Sequence, residues 1–266
     1  MKIGVVGLGV VGQAITDGFE YLEHEVFVHD TKFDDSDITN VLETEVCFLC
    51  VPTPQSSNGT CDTSIVESVV RELLQVDYQG LIAIKSTVTP GLVDSLSKKF
   101  NTKKICFVPE FLRERCASFD FIHNQDLCVI GVYSEDDYDI VKESHGNLPK
   151  SFSKCSPKEA EFVKYFNNVY NAMLITFANS FSSICESMDV DYGRVKEVIV
   201  QRNHIQDIYL NSSDDTKGFG GACLPKDTSA LNELAKMVKE YDITFFEDIL
   251  KQNSQFNTTV FKGMRK

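Results

Sequence analysis

Gly218-Phe219-Gly220-Gly221-Ala222-Cys223-Leu224-Pro225-Lys226-Asp227 gathers a thiol, a cation and a carboxylate beside three glycines. Successive N–H groups of a glycine-rich loop can converge on one anion, and such groups also favour a thiolate over a thiol. Lys226 adds positive charge next to the loop, and Asp227 offers a base. The plain alternative is a buried cysteine beside a flexible turn, as the other eight cysteines are read. A second set, Glu161, Lys164, Asn168 and Asn171, follows at steps of three, four and three. At 100° per residue these share one helix face. Periodicity alone reads that face as solvated. Lys and Asn one turn apart could instead stabilise an oxyanion together, one by charge and one as an amide donor.

At the other end of the chain, Gly7-Leu8-Gly9-Val10-Val11-Gly12 matches G-x-G-x-x-G. It follows a strand-like run and opens a helical pattern (Val11, Ile15, Phe19), which is the context that lets glycine bring backbone up to a pyrophosphate at a helix N-terminus. Asp30 lies 30 − 12 = 18 residues beyond the last glycine, at the end of the second strand-like run. An acidic group there suits the ribose hydroxyls of NAD and repels the 2′-phosphate of NADP; a strand-end turn aspartate is the alternative. NAD is the expected cofactor.

The elements that must position these groups begin with short apolar runs alternating with helical patterns, as a parallel βαβ sheet requires. Strands are expected at Lys2–Val6, Glu25–His29, Val46–Val51, Leu81–Lys85, Ile105–Phe107 and Leu127–Ile130. The fold class is α/β: a Rossmann-type doubly wound parallel sheet over 1–150, then a long helix and a smaller all-α domain over 151–266. Ser156-Pro157-Lys158-Glu159 reads as a capping box with Pro at the first helical position. Behind it Phe162, Phe166, Val169, Met173, Phe177, Phe181, Ile184 and Met188 form an apolar stripe on one helix reaching about residue 188. A second helical stretch starts at Tyr192, an irregular polar segment covers Asn211–Lys217, and a final helix starts at Thr228.

The 266 residues carry a net charge of −13, which argues against nucleic acid or an anionic membrane as partner. The first residues lack a signal peptide's apolar region, and nothing approaches 18 uninterrupted apolar residues, so a cytoplasmic protein is expected. The nine cysteines are read as reduced thiols. Cys47-x-x-Cys50 lies inside a strand with no second ligand pair, so it is read as core packing and no metal is expected.

Taken together and in order, Val51-Pro52-Thr53-Pro54, Lys85-Ser86-Thr87-Val88, Pro109-Glu110-Phe111-Leu112-Arg113-Glu114, the segment Lys164–Asn168 and the Cys223 loop resemble the UDP-glucose/GDP-mannose dehydrogenase family from Met1 to about Phe256. The resemblance implies a four-electron oxidation of a nucleotide-sugar C6 alcohol to the carboxylate, with two NAD used in succession. By matching position, Cys223 would be the nucleophile, Lys164 and Asn168 the oxyanion stabilisers and Asp227 a proton-transfer group acting with water. Glu110 would assist thioester hydrolysis, and Thr87 would orient water or substrate. Thr53, Ser86, Glu114 and Lys226 would serve the cofactor, and Phe219, Gly220 and Glu161 the sugar. The resemblance also implies a homodimer packed through the long helix.

Two departures stand out. His204-Ile205-Gln206 occupies the place of the family's Arg-Ile-Gly, with Arg202 nearby. The chain also stops where family members begin a second Rossmann-like domain around the nucleotide, which a separate protein could supply. The rival readings are a single-step hydroxyacid dehydrogenase of the 6-phosphogluconate or 3-hydroxyisobutyrate type, which needs no nucleophilic cysteine, and a non-catalytic NAD-binding subunit.

Overall fold

The computed structural model describes residues 1–213 and 217–256, so Asp214–Thr216 of the expected irregular segment lie outside the described residues. The chain divides into two compact units, one of Met1–Pro54 with Cys61–Lys164, the other of Gln55–Thr60 with the chain from Tyr165.

The first unit is built on seven strands: β1 (Lys2–Val6), β2 (Glu25–His29), β3 (Val46–Leu49), β4 (Leu81–Ile84), β5 (Ile105–Phe107), β6 (Cys128–Gly131) and β7 (Phe152–Cys155). They lie in the order β2-β1-β3-β4-β5-β6-β7. The chain steps outward from β1 to β2 and then crosses to β3, so β1 and β3 flank the switch point where α/β sheets bind ligands. β1 to β5 are parallel, whereas β6 meets β5 antiparallel through Phe107 and Gly131. The doubly wound sheet is thus parallel apart from this one pair: after β5 the chain turns through Pro109–Cys116 and a seven-residue helix, α4 (Ala117–His123), and re-enters the sheet from the end it left. Strand β7, absent from the sequence reading, pairs parallel with β6. The unit therefore runs on to Lys164, past the boundary expected near residue 150.

Helices cover both faces. Val66, Val69, Val70 and Leu73 of α2 (Ser64–Gln75) and Val93 and Leu96 of α3 (Leu92–Lys99) pack on Cys47, Leu49, Ile82 and Ile84. Ile15 and Phe19 of α1 (Val10–Tyr21), Phe121 of α4 and Val141 of α5 (Glu135–His145) pack on Val5, Phe48 and Ala83. Central strands buried on both faces read as unbroken apolar runs, which is why Val46–Leu49 shows no alternation. Cys47 is part of that core.

The long helix α6 (Pro157–Ser187) starts at the expected capping box: Ser156 N–H and Oγ both donate to Glu159 Oε2 at 2.7 Å. Its faces are the reverse of the simplest expectation. Glu161, Lys164 and Asn168 are buried, whereas Phe162, Phe166, Phe177, Phe181, Ile184 and Met188 are exposed, Phe166 by 75%. Val169 and Met173, at the edge of the stripe, join Ala172, Phe219 and Ile249 in the core of the second unit.

That unit continues with α7 (Tyr192–Ile199), α8 (Leu224–Ala235) and α9 (Phe245–Asn253). Two helices thus stand where one was expected from Thr228, and the first starts at Leu224. Within the same unit, Gln55 Nε2 donates to Ser229 Oγ at 2.8 Å, and Ser229 Oγ donates to Gly59 O at 3.1 Å. Among the described residues no helix is long and apolar enough to cross a membrane.

Candidate functional site

In the first unit the glycine turn is held by close approach. Gly7 adopts φ +90°, and a Cβ there would stand 2.8 Å from Cys50 O; a Cβ on Gly12 would stand 1.8 Å from Gly7 O. Side chains are therefore excluded at both positions. A Cβ on Gly9 would meet nothing within 4 Å, and Gly9 starts α1 without any side-chain cap. The first amides of α1 and the positive end of its dipole are left for an anion such as a pyrophosphate, so the turn fits NAD. Asp30, buried at the end of β2, accepts from Leu8 N at 2.6 Å and from Lys32 N at 2.9 Å. Burial pushes its carboxyl up, but the two amides and the Lys32 charge outweigh that and hold it below the ordinary value.

Beside the turn, the carboxyl ends of β3, β4 and β5 are tied together. The Ser86 hydroxyl donates to Val51 O at 2.7 Å, joining the end of β4 to that of β3. The Cys61 thiol lies 3.3 Å from Thr87 O and 3.9 Å from Thr53 O, so these two expected site residues flank one side chain. After β5, Lys164 Nζ donates to Glu110 O at 2.6 Å and to Glu110 Oε1 at 2.9 Å. Glu110 Oε2 accepts from Leu112 N at 2.7 Å. Burial pushes the Glu110 carboxyl up, and the Lys164 charge with these hydrogen bonds more than reverses the shift. Glu114 is exposed in the short turn that follows.

Glu161, expected to serve the sugar, engages main chain. Its carboxylate accepts from Gly91 N and, at 2.9 Å, from Val93 N. Gly91 has φ +95° and starts α3 with no cap of its own, so Glu161 caps that helix from α6. The side chain is fully buried and both oxygens are engaged by main chain, which makes it a support of the turn that follows Thr87.

The second unit holds Asn168, Asp227 and Cys223. Asn168 Nδ2 donates to Asp227 Oδ2 at 2.6 Å, and Lys226 Nζ donates to Asp227 Oδ1 at 2.7 Å. Asp227 is fully buried, so its charge is matched by an amide and a cation. The ammonium of Lys226, the residue expected to serve the cofactor, pairs with Asp227. Cys223 is exposed, stands at the N-cap of α8, and is followed by Pro225 in the first turn. Phe219 was expected on the sugar, but its ring is buried against Val169, Ala172 and Ile249; Gly220 is half-buried. Arg202 and His204 are both exposed.

Sequence reasoning missed several supports of this site. Lys85 is fully buried, with Nζ 5.6 Å from the Phe48 ring centre and 5.8 Å from that of Phe121. Burial pulls its ammonium below the ordinary value. Arg113 Nε donates to Asp120 Oδ2 at 2.8 Å, and the Arg113 amide donates to the same oxygen at 3.0 Å, bracing the segment after Glu110. Lys85 and Arg113 lie in the Lys85–Val88 and Pro109–Glu114 segments, but their partners, Phe48 and Phe121 for Lys85 and Asp120 for Arg113, lie outside those segments.

A seven-stranded doubly wound sheet with a glycine turn at its switch point, followed by a long helix with a buried polar face, defines a Rossmann-type α/β protein. Residues 31–148 match the NAD binding domain of the UDP-glucose/GDP-mannose dehydrogenase family, and residues 158–255 match that family's central domain. The chain belongs to the UDP-glucose/GDP-mannose dehydrogenase family. It is 32% identical over 242 residues to a UDP-glucose 6-dehydrogenase of Rickettsia bellii, covering 88% of this chain and 54% of that protein. It is 28% identical over 301 residues to a GDP-mannose 6-dehydrogenase of Pseudomonas aeruginosa, covering 96% and 68%. A solved UDP-glucose dehydrogenase from Pyrobaculum islandicum superposes with a TM-score of 0.87 at 27% identity, covering 96% of this chain and 68% of that one. The chain thus spans about half to two thirds of the length of these relatives.

Proposed function

We propose that this chain oxidises the C6 alcohol of a nucleotide sugar to the carboxylate in two NAD-dependent steps, through a covalent intermediate on Cys223. The observation that carries the reading is the reversed α6: a lysine and an asparagine one turn apart are buried, each against a carboxylate, on a helix whose apolar residues are exposed. A solvated face has no use for that burial. A face that stabilises charge on a reacting oxygen does.

NAD, which the Gly7–Gly12 turn and Asp30 would hold, would supply the hydride acceptor. The balance is RCH2OH + 2 NAD⁺ + H2O → RCOO⁻ + 2 NADH + 3 H⁺. The first oxidation yields an aldehyde, to which the Cys223 sulfur adds to form a thiohemiacetal. The second oxidation makes a thioester, and water cleaves it to release the thiol and the acid. The α8 N-terminus favours negative charge at Cys223. Lys164 and Asn168 stabilise the oxyanions, Asp227 handles the proton of the attacking water, and Glu110 assists hydrolysis. Thr87 orients water or substrate, and Ser86 sets the strand ends that border the cofactor. The active form we infer is a homodimer packed through α6.

The deciding experiment incubates the chain with NAD and a panel of UDP- and GDP-sugars, counting NADH per sugar consumed. Two NADH and a uronate support the proposal; one NADH and an aldehyde or ketone refute the thioester route. Cys223→Ser should release no uronate while retaining some first-step oxidation. Normal uronate release by Cys223→Ser would end the covalent mechanism.

A further inference from the structure

The glycine loop that carries Cys223 is gripped by a residue outside it. Asn253, the last residue of α9, accepts from Phe219 N through Oδ1 at 2.7 Å and donates through Nδ2 to Phe219 O at 2.9 Å. One side-chain amide thus satisfies both main-chain groups of one loop residue, as a neighbouring β-strand would. The two bonds also fix which end of the amide is oxygen, because the reverse orientation would set donor against donor and acceptor against acceptor.

The loop needs such a grip. Gly218 and Gly221 have φ +80° and +78°, conformations that glycine alone adopts freely, so both are points of backbone freedom on either side of Phe219. α9 is itself anchored, because Ile249, Phe246 and Leu250 pack in the same core as the Phe219 ring. Ring and peptide of Phe219 are thereby held by one helix, four residues before Cys223.

We propose that Asn253 is a positioning residue for the nucleophile: by clamping the Phe219 peptide it fixes the path from Gly218 to Cys223 and holds the thiol at the α8 N-terminus. The inference rests on the reading of Cys223 as the nucleophile, but its test needs neither sugar nor NAD. Failure of the dehydrogenase assay and failure of the clamp are therefore distinguishable.

The test follows alkylation of Cys223 by iodoacetamide from pH 5 to 10, read by mass spectrometry of its peptide, with Cys223→Ser identifying the signal. In Asn253→Ala the rate at pH 7 should fall at least fivefold, with the midpoint of the pH profile displaced upward, because the thiol leaves the helix terminus. Asn253→Gln, which keeps both amide functions on a longer arm, should recover part of the displacement. A merely loosened loop would raise the limiting rate at high pH and leave the midpoint in place, and that result overturns the proposal. So does an Asn253→Ala protein indistinguishable from wild type in rate and midpoint. Should Asn253→Ala fail to fold, Asn253→Asp decides in the same assay, since it keeps the acceptor for Phe219 N–H and loses the donor; an unmoved midpoint there is equally fatal.

Discussion

Lys164 and Glu110 form a closed, buried pair: the ammonium bonds both the carbonyl and the carboxylate of the same glutamate, and the two side chains are 4% and 10% exposed. Removing one partner of such a pair leaves an uncompensated charge, which costs about 3–5 kcal/mol. Lys164→Ala should therefore unfold at markedly lower urea concentration than wild type. Its turnover should also fall roughly a hundredfold or more, the usual cost of losing one oxyanion donor. Lys164→Ala with unchanged stability would mean that Glu110 finds another partner or takes up a proton there.

Glu161 makes stability depend on pH in a direction that can be worked out. Burial raises its carboxyl to about 7, against the two amides and Lys158 that favour the ion, while Asp94 adds to the rise. The folded protein then holds the proton more tightly than the unfolded chain, whose carboxyl titrates near 4.5. The stabilisation is fully present below about 4.5 and is lost as pH rises through about 7. Glu161→Gln has no such proton, so the stability of wild type minus that of the variant should decline between about pH 4.5 and 7 and then level. His145, pushed down to about 3 by burial, tilts both curves the opposite way and cancels in the difference. Urea titrations across that range check it; a difference that grows with pH would show a depressed carboxyl.

Asp30 should enforce a preference for NAD over NADP of at least about tenfold, or roughly 1.4 kcal/mol. The carboxylate is buried at the turn and kept ionised by two amides, so a 2′-phosphate would meet a fixed negative charge. Lys32, whose charge acts on Asp30, works against that discrimination, and Lys32→Ala should widen the gap. Calorimetry with both dinucleotides decides, and equal affinities would remove Asp30 from the ribose site.

What could be read from the sequence follows the range of the physics. The Gly7–Gly12 turn and the α6 capping box at Ser156–Glu159 are local, and both are where the residues put them. The end of α6 at Ser187 lies one residue from the expected end. Burial of the polar α6 face was not legible, because Glu161, Lys164 and Asn168 find their partners 50 to 70 residues away in sequence, at Gly91 and Val93, Glu110 and Asp227. Periodicity tells two faces apart but not which one is covered. The antiparallel entry of β6 and the Asn253 grip on Phe219 depend in the same way on distant segments.

The exposed face of α6 carries the last prediction. Phe166 and Tyr170 stack with ring centres 6.2 Å apart, Phe177 and Phe181 lie 5.8 Å apart, and Phe162 and Ile184 are exposed on the same helix face, with Met188 exposed just past its end. We expect this apolar face to be an association surface, strong enough to overcome the repulsion of a net charge of −13. A helix that presents one apolar face along its length suits a symmetric partner, since a two-fold axis lets the same patch meet itself. Light scattering at micromolar concentration should give about twice the 29.9 kDa chain mass. Phe166→Asp combined with Phe177→Asp would bring four charges into a two-fold contact and should give the monomer mass with NAD binding retained. A wild-type monomer at that concentration, or a dimer that survives both substitutions, defeats the assignment and requires another occupant for this face.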